Sequence, residues 1–410
     1  MKASPFKNST IVLGTEVNGI AVIRSLGRLG VRCGAVFEPS HGDHARHSRY
    51  LSFTKELPSG ATDAALTSII FDIADRFGDG PSILIPTTDR YSDYLSRNHK
   101  TLANDFILCC PSRELCDAFL DKWKTAQICK DNGVLIPRTA CPQTADDLAQ
   151  IAGEIIFPVV VKPRYTFGTN FPGKNAVFKD ARGLLTFFDG SNLLGRCVIQ
   201  RVIPSGDGEI LITASFSDSN GVVGPVYSGR KIRQFLPDYG ATCFGISERH
   251  PELEVQTRRF LDRIHYSGFA ALEFARSHDD GQAYFLELNT RTYYHNQLFA
   301  DATIDLTQVA YLSATGHDPE AVLGTQKQRE GLIWLDFRRD FQSMRIKRRK
   351  GEITIAQWLR SIIMARSFAY WDWRDPAPFV LACLWRTKEL AFNLMTRLFP
   401  SEHRAKPSPP

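Results

Sequence analysis

Residues 268–289 constrain this chain more than any other stretch. Two apolar runs, 268–275 and 283–288, flank Asp279-Asp280-Gly281, and Asp-Gly between alternating hydrophobic runs predicts a β-hairpin. A fold-back near Asp280 sets Glu273 opposite Glu287, with Cβ atoms roughly 5 Å apart. Alternation then puts Glu287, Asn289 and Arg291 on the face of Glu273, and Leu272, Phe274, Leu286 and Leu288 on the other, core-facing side. Directly opposed like charges destabilise a sheet. Two carboxylates and an amide carbonyl are the oxygen set a hard divalent cation requires, and Mg²⁺ shares its octahedron with substrate phosphates, so the pattern points to a nucleotide. A solvated polar hairpin face is the competing reading.

The N-terminal stretch reads as strand, turn, helix, strand. Apolar residues Ile20, Ile23, Leu26 and Leu29 recur every three positions, and Gly30 stands where a helix stop belongs. Gly14 and Gly19 fit a tight turn at a helix N-terminus, but neither the dinucleotide fingerprint nor the P-loop pattern is present. Further strands at 82–86 and 106–110, with a helix at 64–77, extend a Rossmann-like α/β unit. Asp89 follows the first of these at the carboxyl edge where open α/β sheets bind ligands; it is a candidate for holding an amine, or a helix N-cap.

Downstream, Phe157-Pro-Val-Val-Val-Lys162 is a β-branched run that ends in an ammonium, which suits phosphate better than a flexible surface lysine does. The following loop, 164–175, holds Gly168 and Gly173 and reads as a phosphate cover. A second hairpin, 211–216 with 222–228, leads to Arg230, Lys231 and Arg233. A cation here serves a transferring phosphoryl group or a substrate carboxylate, unless it is a solvated strand end. Residues 252–265 form an amphipathic helix.

Composition narrows the setting. At 410 residues the chain accommodates two or three domains, and 43% apolar with 23% charged residues is globular. A formal charge of +6 is too small and dispersed to indicate nucleic-acid binding. Nine cysteines without a C-x-x-C pair argue for reduced thiols, and His41, His44 and His47 read as surface loop groups rather than zinc ligands. With no signal-like segment and no long apolar run, a cytoplasmic protein is expected.

Glu273, followed by Glu287-Leu288-Asn289-Thr290-Arg291, resembles the metal-binding strands of the ATP-grasp superfamily, in particular carboxylate–amine ligases and D-alanine–D-alanine ligase-like members; the likeness spans about residues 10 to 320. The resemblance implies an α/β (α+β) ATP-grasp fold with a Rossmann-like domain at 1–115. The ATP-grasp domain would occupy 116–325, with a small lobe about 135–200 and a large lobe about 201–325. A helical C-terminal extension at 326–400 and a disordered tail at 401–410 would follow. It implies ATP and two Mg²⁺ ions, Mn²⁺ being an acceptable substitute, with Glu273, Glu287 and Asn289 as metal ligands. Lys122, or alternatively Lys124, and Lys162 would contact the phosphates. Gln200 would accept from the adenine amino group while backbone groups of Arg201, Val202 and Ile203 read the adenine edge. Glu209, with Asp207 next, would take the ribose hydroxyls. Arg291, Arg230 and Lys231 are the catalytic candidates.

The expected activity is an ATP-dependent carboxylate–amine ligase that acts through an acylphosphate on small-molecule substrates, as a monomer or homodimer, without nucleic acid. Alternatives are an ATP-dependent carboxylase or carboxylate kinase, a non-catalytic ATP-binding regulator, and a dinucleotide-dependent enzyme. Residues 338–350 hold seven Lys or Arg and precede apolar helices at 353–363 and 379–399. A helical appendage is the leading reading there and peripheral membrane contact the minor one.

Overall fold

The computed structural model describes residues 6–39, 44–165, 171–173, 175–237 and 240–384. Strands β1 (Thr10–Leu13), β2 (Cys33–Phe37), β3 (Leu51–Glu56), β4 (Ser82–Pro86) and β5 (Phe106–Leu108) form a parallel sheet in the order β3-β2-β1-β4-β5. The order reverses direction between β1 and β4, and crevices open at such points along the carboxyl edge. The helix Val17–Leu29 stops at Gly30, whose φ of 89° and N–H bonds to the Leu26 and Gly27 carbonyls make it the left-handed cap expected there. Gly14 is needed for a different reason: a Cβ would lie 2.3 Å from Thr87 Oγ1 on the neighbouring strand's exit.

A small four-stranded sheet, β6 (Thr139–Ala140), β7 (Val159–Pro163), β8 (Ala176–Phe178) and β9 (Cys197–Arg201), runs in the order β6-β9-β7-β8. Helices Ala145–Glu154 and Ala181–Phe188 share a core with it through Leu148, Leu184, Phe188, Val159 and Val161. The remaining strands are β10 (Ile210–Ser217), β11 (Tyr227–Phe235), β12 (Ala241–Ser247), β13 (Gly268–Arg276), β14 (Ala283–Asn289), β15 (Ile333–Leu335) and β16 (Ser367–Phe368). They build a seven-stranded sheet ordered β14-β13-β10-β11-β12-β15-β16.

Two sequence expectations change here. The second hairpin's return strand is not 222–228: it begins at Tyr227 and runs on to Phe235, flanked on both sides by β10 and β12. The region after 326 is not purely helical. Its β15 pairs with β12, and β16 extends the sheet by one more strand, with helices Phe337–Arg349 and Ile355–Ile363 between them. Residues 377–384 are helical; the rest of the expected 379–399 helix, and the tail, lie outside the described residues.

Buried ion pairs tie this extension to the body. Arg24, fully buried in the first helix, donates to Asp375 Oδ2 at 3.0 Å and to the Tyr370 carbonyl at 2.7 Å; Asp375 also accepts from Ser48 and the Arg49 amide. Arg233 forks onto Asp340 at 2.7 and 2.9 Å, and the Trp358 indole donates to the same carboxylate at 2.7 Å. Stripping one partner from such a pair leaves an uncompensated buried charge, which costs about 3–5 kcal/mol. Among the described residues, no helix is long and apolar enough to cross a membrane.

Candidate active site

The predicted register of the central hairpin is present. Ala271 faces Asn289, Leu272 faces Leu288 and Glu273 faces Glu287. A bulge between Glu273 and Phe274 then shifts the pairing by one, so Phe274 meets Phe285. Phe285, not Leu286, therefore turns into the core beside Phe274 and Phe260, while Leu286 is half-exposed with Ile203 and Ile210. The bulge re-aims side chains beside the two carboxylates.

Glu273 is buried, and each of its oxygens has a partner. Lys231, projecting from β11 across β10, donates from Nζ to Oε2 at 2.6 Å, and the Tyr293 hydroxyl donates to Oε1. Burial raises the Glu273 pKa, Lys231 opposes that shift, and Glu287 adds to it. Burial next to the same two carboxylates pushes the Tyr293 phenol well above its ordinary value. Glu287 opens to solvent, and Asn289 leans on it at 3.4 Å through its amide nitrogen; the opposite amide orientation turns the oxygen to the same point. Two carboxylates and an amide around one point fit a hard divalent cation once Lys231 yields an oxygen of Glu273.

Arg291 is fixed by the way the hairpin leaves the sheet. Ser92 donates to the Thr290 carbonyl at 2.8 Å, the Thr292 amide donates to the Pro86 carbonyl at 3.3 Å, and Asn18 reaches the Thr292 carbonyl at 3.1 Å. The segment 290–292 thereby lies on the carboxyl edge of the parallel sheet. There Arg291 donates from Nε to Asp89 at 3.1 Å. Asp89 is the first residue of the helix Asp89–Arg97, and the N-cap role falls to Thr88.

A cleft of about 560 Å³ connects these groups with the small lobe. Its lining includes Glu273, Glu287, Asn289, Lys231, Arg291, Asp89 and Tyr293, together with Lys162 and Gln200 of the small sheet and Lys122. Lys122 begins the helix Lys122–Asp131, whose cap Asp121 is buried and doubly bonded to Arg164. That lock points Lys122 into the cleft, whereas Lys124 is exposed on the helix surface. Lys162 at the end of β7 donates to Gln200 Oε1 at 3.0 Å, and Gln200 in turn donates to Thr139. The Gln200 carbonyl thus holds a lysine with one lone pair and has the other for a second donor.

Other candidates lie elsewhere. Arg230 belongs to the opposite face of β11 from Lys231 and bonds Glu248 and the Gly208 carbonyl, outside the cleft. Alternation separates it from Lys231, but which of the two faces lines the cleft is set by the packing of the sheet and not by the local pattern. Arg233 is consumed by Asp340. Arg201, Val202, Ile203 and Glu209 cluster at the β9–β10 passage, beyond the cleft wall; the Arg201 and Val202 amides bond the carbonyls of Arg138 and Pro158. Asp207 pairs with Lys347 of the extension at 2.8 Å. Of the 164–175 loop, residues 166–170 and 174 are outside the described residues; Phe171, Gly173 and Asn175 reach the cleft.

Sequence reading missed groups in the wall and behind it. Gln234 is buried yet in the wall, and two supports of Tyr294 were not read: the Asp336 carboxylate, which accepts from its hydroxyl at 2.7 Å, and Arg339 over its ring. Thr242 and Tyr294 themselves were expected near a substrate mouth and are in the wall. Nothing local marks Asp336 or Arg339, since the contact depends on the extension's return to the sheet.

No protein-family model matches the chain. It is 22% identical to the D-aspartate ligase of Enterococcus faecium over 311 residues, which cover 68% of this chain and 70% of that protein. Among solved structures, the biotin carboxylase domain of 2-oxoglutarate carboxylase from Hydrogenobacter thermophilus, in complex with MgADP, ADP and bicarbonate, superposes with a TM-score of 0.59. The two share 16% identity over 79% of this chain and 73% of that one. N5-carboxyaminoimidazole synthetase from Staphylococcus aureus gives a TM-score of 0.57 at 13% identity, covering 76% and 78%.

Proposed function

From the premise that this chain belongs by fold to the ATP-grasp superfamily, we propose that it is an ATP- and Mg²⁺-dependent ligase that joins a small carboxylate to an amine. The single observation that carries the reading is that one cleft is lined by the carboxylate cluster and by cationic side chains. Glu273, Glu287, Asn289 and Arg291 line it, and so do the two lysines Lys122 and Lys162. Phosphate oxygens need cationic partners, and the cleft offers several. Glu273, Glu287 and Asn289 would hold Mg²⁺, which when bound supplies charge neutralisation for the triphosphate.

The side chains account for the rest. Lys122, aimed by the Asp121–Arg164 lock, and Lys162, aimed by Gln200, bind the phosphates and fix their direction. An oxygen of the substrate carboxylate attacks the γ-phosphorus, the bond to the β-bridging oxygen breaks, and ADP leaves an acylphosphate. The amine nitrogen then adds to the acyl carbon, and phosphate departs to give the amide. Arg291, steadied by Asp89, faces the negative charge that develops on the acyl oxygen, and Lys231 adds a second positive group behind it. The Asp89 carboxylate, in the same wall, suits an ammonium substrate.

The likeness to carboxylation enzymes favours one further reading, in which bicarbonate is the phosphorylated acid. The test is ADP release measured over paired amino acids, sugar acids and amino sugars, with and without bicarbonate. Turnover that requires both an acid and an amine supports the ligase; turnover set by bicarbonate supports the second reading; no ADP with any pair rejects both.

A further inference from the structure

The extension carries a surface that the cleft does not use. In the helix Ile355–Ile363, Trp358 and Ile362 turn inward, Trp358 to Asp340 and Ile362 to Phe244 and Leu335. The same apolar face continues round the helix past these two: Ile355, Leu359 and Ile363, spaced by four, are 42%, 45% and 69% exposed, and the C-cap residue Met364 is exposed as well. Phe337 and Phe341 stack on each other at 6.4 Å, both within 6 Å of the Trp358 ring, and both are exposed. The apolar face is wider than the part that packs inward, and its outer edge is left exposed among the described residues.

The charge around this stripe is one-sided. Residues 337–366 hold nine Lys or Arg against two Asp or Glu, so this stretch alone exceeds the formal +6 of the whole chain and the remainder is close to neutral. The two acids are already engaged, Asp340 with Arg233 and Glu352 with Lys347. Arg338, Arg345, Arg348, Arg360 and Arg366 are exposed beside the apolar residues.

We propose that this face docks the enzyme on an anionic phospholipid surface, with Leu359, Ile363 and Phe337 entering the headgroup boundary and the arginines meeting the lipid phosphates. Apolar insertion with basic flanks is the chemistry of an interfacial helix. A second copy of the chain fits worse, since a two-fold contact brings the same positive patch against itself. A nucleic acid would use the arginines but leave the apolar stripe unexplained.

The full chain is to be sedimented with vesicles of phosphatidylcholine alone and with about 30% phosphatidylglycerol added, in low and high salt. The expected result is binding to the anionic vesicles only, reduced about fivefold at high salt, and reduced roughly tenfold in the Leu359→Glu/Ile363→Glu double variant. Circular dichroism checks that this variant is folded. If it is not, Arg345→Glu/Arg348→Glu, on exposed positions of the neighbouring helix, takes its place with the same expectation. No sedimentation with anionic vesicles, equal sedimentation with neutral ones, or undiminished binding by the folded variant overturns the proposal. So does light scattering that reveals a dimer abolished by the same substitutions, or retention of duplex DNA without any vesicle binding.

Discussion

Replacing Lys231 with methionine tests the metal site directly. In the intact protein the Lys231 ammonium sits 2.6 Å from a buried carboxylate that itself faces a second one. Methionine keeps the stem and removes the charge, so Glu273 is left buried with only the Tyr293 hydroxyl. Breaking a buried pair costs about 3–5 kcal/mol, and the Glu287 repulsion, no longer offset, adds to this. Part is regained because Glu273 protonates, so a loss of about 3 kcal/mol at neutral pH is expected. The sign with pH follows from the raised pKa of Glu273. The native state holds its proton more firmly than the unfolded chain, so the contribution of this group is fully present below about pH 4.5 and is lost as pH rises through the folded pKa. This fall is steeper in the variant.

Magnesium supplies the contrast. If Glu273, Glu287 and Asn289 are its ligands, the variant, freed of competition from Lys231, gains about 2.7 kcal/mol at a hundredfold excess over Kd, more than the intact protein gains. Urea denaturation with and without Mg²⁺ measures both quantities. Equal stability of the two proteins, or an equal Mg²⁺ response, would falsify the assignment of these three side chains as a cation site.

Three further outcomes are expected. Glu287→Gln abolishes ADP release while changing urea stability by less than about 0.5 kcal/mol, because this carboxylate is open to the cleft and bears no packing; retained turnover rules out its role. Lys162→Ala weakens ATP binding by roughly tenfold in calorimetry, the effect of losing one charge-assisted contact, and unchanged affinity removes it from the phosphate site. His295, wholly buried beside Lys231, has its pKa lowered well below 6.5 by burial and is neutral in the fold. The unfolded chain gains the proton first, so this contribution is present above about pH 6.5 and lost below it, at roughly 1.4 kcal/mol per pH unit. His295→Gln flattens that slope in acid-side unfolding curves, and an unaltered slope excludes a neutral buried imidazole.

What could be read from the chain, and what could not, divides along physical lines. The Glu273–Glu287 register was legible because a two-residue period and an Asp-Gly turn are local. Gly30 as a helix stop was legible for the same reason. The bulge that exchanges Phe285 for Leu286 was not, since it answers to packing against Phe260 and Phe274. Arg230 and Lys231 are adjacent and chemically alike; only the course of β11 between two neighbours decides which one faces the cleft. The hold of Gln200 on Lys162 depends on β7 pairing with β9, an encounter of segments 38 residues apart. The link from Asp89 to Arg291 spans 202 residues and is a product of docking rather than of any motif.

The pairing of β15 with β12 makes the stretch from β15 to β16 a structural necessity. Without it, the Phe244–Ile246 stretch of β12 becomes a bare hydrophobic rim with unsatisfied amides and carbonyls, open to any extended chain that meets it. Shortened versions that stop near residue 325 will therefore clump through that rim, and an inactive truncation says nothing about chemistry residing in the missing part.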